Sequence, residues 1–140
     1  MAVEEWLVDL FERLRKLAID QNPLEGSKIS GPQLALLDWV AATPGCGIQD
    51  IAAGLGLSAP TVSVSVRRLE ELGLLERQPN PQDGRAIRLF LTAQGRALYA
   101  RAQAFRRQKM RHLLAGLTDE EKATFLSLLE KALTEAERSS

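Results

Sequence analysis

Gly56 and Gly73 constrain the fold of this chain more than any other residues, because each stands directly behind a short segment with helical apolar spacing. Ile48, Ile51, Ala52 and Leu55 give two turns of helix with one buried side, and Gly56 ends them. After Leu57, Ser58 is an N-cap whose side-chain oxygen can accept from the first free backbone N–H groups. The segment from Ala59 to Leu72 is then a second helix, closed by Gly73. Two short helices joined by a turn of about three residues containing glycine make a helix-turn-helix.

The flanking segments extend this unit. LLERQ after Gly73 reads as a short strand, PNPQDGR is dense in turn residues, and AIRLFL alternates with Ile87, Leu89 and Leu91 on one face, so a β-hairpin follows the second helix. Thr92 caps a long helix running to Gly116, and Thr118 with Glu121 forms a capping box for a last helix striped by Phe125, Leu128, Leu129, Ala132 and Leu133. Ahead of the core, Val3, Leu7, Leu10, Leu14 and Leu17, widened by Trp6 and Phe11, make an amphipathic helix from Glu4 to about Asp20. Asn22 to Gly31 reads as a loop, and Pro32 opens a helix that Pro44 stops.

The expected fold is therefore mainly α (α+β), a winged helix-turn-helix over about 32–92 with helices over about 2–20 and 93–138. Its 140 residues suit one domain spanning 1–140. No apolar run approaches the roughly 18 residues of a membrane span, and the N-terminus has acids where a secretory signal has basic residues, so a cytoplasmic location is expected. One cysteine and one histidine cannot build a disulfide framework or a Cys/His metal cluster, and neither metal nor cofactor is expected. The same scarcity, with no Gly-rich phosphate loop and no Ser/His/Asp set, speaks against an enzyme.

Formal net charge is zero, but its distribution is uneven. Pro60 to Ala115 holds eleven basic residues against four acidic ones, a local +7, and the remainder carries −7. A basic region of this kind attracts phosphates whatever the total charge. On a helical wheel, Val62, Val66 and Leu69 of the second helix cluster inward, while Pro60, Ser63, Val64, Arg67, Arg68 and Glu71 lie opposite with Thr61 on the flank. A helix fits the major groove, where Arg reads guanine, Ser and Thr bond several edges, and a small apolar side chain touches the thymine methyl. Asp83, Gly84 and Arg85 at the hairpin tip would reach the neighbouring groove. A winged helix kept as a protein-interaction module without DNA affinity is the alternative.

The stretch PTVSVSVRRLEELGLLERQPNPQDGRAIRLFLTAQGRAL resembles the multiple-antibiotic-resistance-regulator (MarR) family of winged-helix transcription factors. The resemblance rests on the TVS start of the second helix, the LEELGLLER passage, the D-x-R at Asp83 and Arg85, and the LT-x-x-G at Leu91, Thr92 and Gly95. It implies a homodimer held by the terminal helices, a pseudo-palindromic operator on double-stranded DNA read by two major-groove helices, and wing arginines in the minor groove. It also implies release by a small aromatic or phenolic ligand, for which Leu10, Trp39 and Tyr99 are the candidate contacts. The family's frequent Arg directly after TVS is Val64 here, so that base contact does not carry over. The DNA-contact candidates are Ser58, Pro60, Thr61, Ser63, Val64, Arg67, Arg68 and Arg85, with Asp83 and Gly84 supporting the wing tip.

Other residues have plainer readings. Cys46 sits between glycines with no basic neighbour in sequence, a poor setting for a reactive thiol. His112 reads as a helix-surface or interface residue. The Asp119, Glu120 and Glu121 cluster belongs to a helix first turn, where the dipole favours acids.

Overall fold

The computed structural model describes residues 2–19 and 29–140, with backbone alone at residues 18, 19 and 83–85. Helix α1 (Val3–Leu14) carries Glu4 and Glu5 in its first turn and passes into a π-helical turn at Arg15–Ile19, where the sequence had suggested one helix to about Asp20. Most of the loop expected over Asn22 to Gly31 lies outside the described residues, and Gly31 already begins α2 (Gly31–Ala42). That start is set by Ser30, whose Oγ accepts from the Gln33 N–H at 3.3 Å while the Gln33 side chain accepts from the Ser30 N–H at 3.0 Å. Pro32 occupies the first turn, where its missing N–H costs nothing.

The two short helices form as expected, α3 (Ile48–Leu55) and α4 (Ala59–Glu71). Gly56 and Gly73 adopt φ of +68° and +77°, the left-handed region that lets each helix end on a sharp reversal. Ser58 Oγ accepts from the Thr61 N–H at 3.3 Å, the predicted cap. Beyond α4 come β1 (Leu75–Asn80), β2 (Asp83–Leu91), α5 (Ala93–Leu114) and α6 (Asp119–Ser139). Thr118 and Glu121 make the reciprocal capping box at 2.8 and 3.1 Å.

The hairpin is longer than its alternation suggested, and its apex is displaced. β1 pairs antiparallel with β2 from Leu75 opposite Leu91 to Pro79 opposite Ile87, and after an irregularity Asn80 faces Asp83. The turn is therefore at Pro81 and Gln82, with Asp83 to Arg85 already in the returning strand. Asn80 explains the shift, since its Oδ1 accepts from the Gln82 N–H at 2.9 Å and Pro81 presets the backbone of the next position. Cys46 adds a one-residue third strand, exchanging hydrogen bonds at 2.9 Å through Leu89 N–H to Cys46 O and Gly45 N–H to Leu89 O.

The chain divides into two compact units, Gln21–Phe105 and Met1–Asp20 with Arg106–Ser140. The first unit holds the whole described core: Ile29, then Leu34, Leu36, Leu37 and Val40 of α2, Cys46, then Ile51 and Ala52 of α3, Val62, Val66 and Leu69 of α4, Leu74, Leu75, Leu89 and Leu91 in and before the sheet, and Ala102 of α5. No described residue of the second unit is buried. Val3, Trp6, Leu7, Val8, Leu10 and Phe11 on α1 are exposed, as are Phe125, Leu126, Leu128, Leu129 and Leu133 on α6.

Candidate DNA interface

The exposed side of α4 is a continuous stripe. Pro60, Thr61, Val64, Arg67, Arg68 and Glu71 are exposed and recur at helical spacing, while Val62, Val66 and Leu69 opposite them are sealed in the core. The side expected to face outward is exposed, apart from Ser63, which lies half-buried on the flank. Ser58 and Thr61 are partly committed to the helix start, their hydroxyls 2.8 Å apart. Arg67 makes no ion pair among the described residues, whereas Arg68 has Glu71 at 3.9 Å, a long and exposed contact that leaves its guanidinium available.

The basic run from Arg67 to Arg111 is divided between the two units. Its last members, Arg106, Arg107, Lys109 and Arg111, belong to the second unit. Several others have structural tasks. Arg77 Nε donates to Glu70 Oε1 at 2.6 Å, joining α4 to β1 across the Gly73 reversal. The Arg88 guanidinium lies 5.3 Å from the Phe90 ring centre and close against Gly45. Arg96 donates to the Leu91 carbonyl at 3.1 Å. The Glu70–Arg77 pair escapes sequence inspection because its residues sit on different elements, and it becomes a contact only once the chain turns back at Gly73.

The junction of hairpin and α5 explains the LT-x-x-G segment. Thr92 Oγ1 donates to the Gly73 carbonyl at 2.6 Å and accepts from the Gly95 N–H at 3.0 Å, while the Thr92 N–H donates to Leu74 O at 3.1 Å. Gly95 lets α5 lie directly on Leu74, whose carbonyl oxygen would be 2.1 Å from any Cβ there. α4, the hairpin and α5 are thereby pinned together at their shared corner.

The wing-tip side chains of Asp83, Gly84 and Arg85 lie outside the described side chains, and only their backbone is placed, immediately after the turn. Of the ligand candidates, Tyr99 lines a cleft of about 420 Å³ with Val40, Ala41, Phe90 and Arg96. Trp39 does not. Its ring covers Gly54, where any Cβ would come within 2.0 Å, and its indole N–H is buried without a hydrogen-bond partner among the described residues. Leu10 belongs to the other unit and is 41% exposed.

Cys46 is buried, and burial, reinforced by the Asp50 carboxylate, pushes its thiol above the ordinary range, which disfavours the reactive thiolate. His112 is on the exposed surface of α5. Glu121 serves as the α6 cap partner and Asp119 lies 3.8 Å from Lys122.

A capped second helix with an outward polar and basic stripe, rigidly joined to an antiparallel hairpin, defines a winged helix-turn-helix protein. Residues 27–86 match the MarR family. An HTH-type transcriptional repressor of Mycobacterium tuberculosis, Rv2887, is 31% identical over 100 residues, covering 71% of this chain and 72% of that one. The chain belongs to the MarR family of winged helix-turn-helix transcription regulators, a family of regulators rather than enzymes. Among solved structures, Streptococcus pneumoniae FabT in complex with DNA is 26% identical with a TM-score of 0.79, covering 99% of this chain and 97% of that one. The Streptomyces coelicolor regulator PcaV in complex with its natural ligand is 27% identical with a TM-score of 0.57, covering 96% and 91%.

Proposed function

We propose that this protein is a sequence-specific double-stranded DNA-binding repressor, acting in the cytoplasm as a homodimer on a pseudo-palindromic operator. The observation that carries the reading is the exposed α4 stripe, where Thr61, Arg67 and Arg68 face outward from a helix whose other side is anchored by fully buried Val62, Val66 and Leu69. Such a face offers guanidinium groups and a hydroxyl to base edges and phosphates in a major groove. Arg85 on the wing would extend the interface toward an adjacent minor groove, with Asp83 and Gly84 as the tip residues beside it in sequence. The solved complex of the FabT relative with DNA supports DNA binding by this fold.

The homodimer is supported by the apolar stripes of α1 and α6. Trp6, Leu7, Phe11, Leu128 and Leu133 are each more than half exposed in the single chain, a surface that a second copy would cover in an isologous interface. Response to a small aromatic or phenolic ligand is supported by the cleft beside Tyr99 and by the ligand complex of the PcaV relative. Tyr99 Oη accepts from Gln103 Nε2 at 2.6 Å, which leaves its own hydrogen to donate to a bound anion.

Gel shifts on a random duplex pool over a salt series, followed by selection of the bound sequences, test the reading. Salt-sensitive binding with enrichment of a two-fold repeated site is expected. Absence of any shift at low salt would leave the fold as a protein-interaction module.

A further inference from the structure

Val64 is the unusual member of the α4 stripe. It is a branched hydrocarbon side chain 69% exposed, at the middle of a face whose neighbours one turn away are Pro60, Thr61, Arg67 and Arg68. It takes no part in the core, which is closed by Val62 and Val66 on either side of it, both at 0% exposure. In a helix, valine is also a poorer choice than alanine, lysine or glutamate for a solvent position, because its branched Cβ restricts χ1. Stability of the free protein therefore gives no reason for an exposed valine here.

Double-stranded DNA offers one group that matches it. Among the base edges of the major groove, guanine, cytosine and adenine present donors and acceptors, and only thymine adds an apolar C5-methyl. The arginines at 67 and 68, three and four residues further along the same face, attract the phosphates that flank any base Val64 would meet.

Resting on the DNA-binding reading above, we infer that Val64 is a specificity-determining residue that selects thymine at one position of each half-site by packing against its C5-methyl group. Discrimination at that position is hydrophobic rather than hydrogen-bonded. Deoxyuridine, which keeps every hydrogen bond of thymine and lacks only the methyl, is then the informative probe.

The experiment uses the full chain and a duplex taken from the selection described above, with each thymine replaced in turn by deoxyuridine. At one thymine per half-site the wild-type protein is expected to bind about fourfold more weakly, the effect of removing one buried methyl from a contact. Val64→Ala, which removes the contact from both protomers, should bind the thymine duplex about 15-fold more weakly and be indifferent to deoxyuridine at that position. Because the side chain is exposed, an unchanged thermal melt of Val64→Ala certifies that the fold persists. A wild-type protein indifferent to every deoxyuridine, or a Val64→Ala protein that keeps the full deoxyuridine sensitivity, overturns the assignment while leaving sequence-specific binding intact. Failure to enrich any sequence from the random pool overturns both.

Discussion

Replacing Gly95 with alanine tests the corner that joins hairpin and α5. A Cβ at this position would lie 2.1 Å from the Leu74 carbonyl oxygen and 3.1 Å from its carbon, both backbone atoms that no rotamer change can move away. Reaching ordinary contact at 3.4 Å requires about 1.3 Å of relative movement between α5 and the chain entering β1. Overpacking of this kind costs about 1 to 3 kcal/mol. The same movement lengthens the Thr92 bonds to Gly73 O, at 2.6 Å, and Leu74 O, at 3.1 Å, each with a net contribution of about 1 kcal/mol. Alanine's better helix propensity returns about 1 kcal/mol. With both bonds lost, the balance is a loss of about 2 to 4 kcal/mol, which at a typical urea dependence of about 1 to 3 kcal/mol per molar lowers the unfolding midpoint by about 1 to 2 M. Gly31→Ala supplies the control, since Gly31 opens α2 with nothing within 4 Å of a new Cβ, and its midpoint should be unchanged or slightly raised. Far-UV circular dichroism in urea measures both. A Gly95→Ala midpoint equal to or above wild type would refute the close approach of α5 to Leu74.

Three further outcomes are expected. Arg67→Ala should lose about 1 to 3 kcal/mol chiefly on the preferred duplex, whereas Arg85→Ala should weaken binding to all sequences and reduce the salt slope by about one per protomer contact; an equal loss on scrambled duplex would make Arg67 a phosphate contact. Light scattering at micromolar concentration should give a dimer, and Leu128→Asp on the exposed α6 stripe should lower its mass or unfold it; a stable folded wild-type monomer would remove the dimer. Cys46, whose thiol is pushed up by burial and then by Asp50, binds its proton more tightly folded than unfolded. Its contribution to stability is thus complete below the unfolded thiol pKa of about 8.5 and declines as pH rises toward the folded value; denaturant midpoints from pH 7 to 10 should fall less in Cys46→Ala than in wild type.

The elements that local chemistry fixes were legible in the sequence. Ser58, Gly56, Gly73, Thr118 and Glu121 act on neighbours within a few residues, and their caps and turns stand where spacing placed them. The inward and outward sides of α4 followed from its period for the same reason. The hairpin apex was misplaced because Asp83-Gly84 is a strong turn signal, yet Asn80 and Pro81 form their own turn first and leave it in the strand. Features made by contacts across the fold stayed hidden: Cys46 as a one-residue strand has no alternation to reveal it, and Trp39 looked like a pocket residue until Gly54 was placed beneath its ring. The Ser30 and Gln33 box was visible in principle as an S-x-x-Q pattern at the head of α2.

The Glu70–Arg77 pair has a consequence on the nucleic-acid side. At 2.6 Å, with both side chains about a third exposed, it fastens the end of α4 to the root of the wing, so neither element can slide along a duplex without the other. If the protein binds DNA as proposed above, its operator would have to present the major-groove bases and the minor groove beside the wing at one fixed phase. A single inserted base pair between them advances the duplex by about 3.4 Å and turns it, carrying one contact out of register with the other. Sites would then tolerate base changes within either contact region more readily than a change in the count of base pairs separating them, and the protein would act as a gauge of interval as well as a reader of bases.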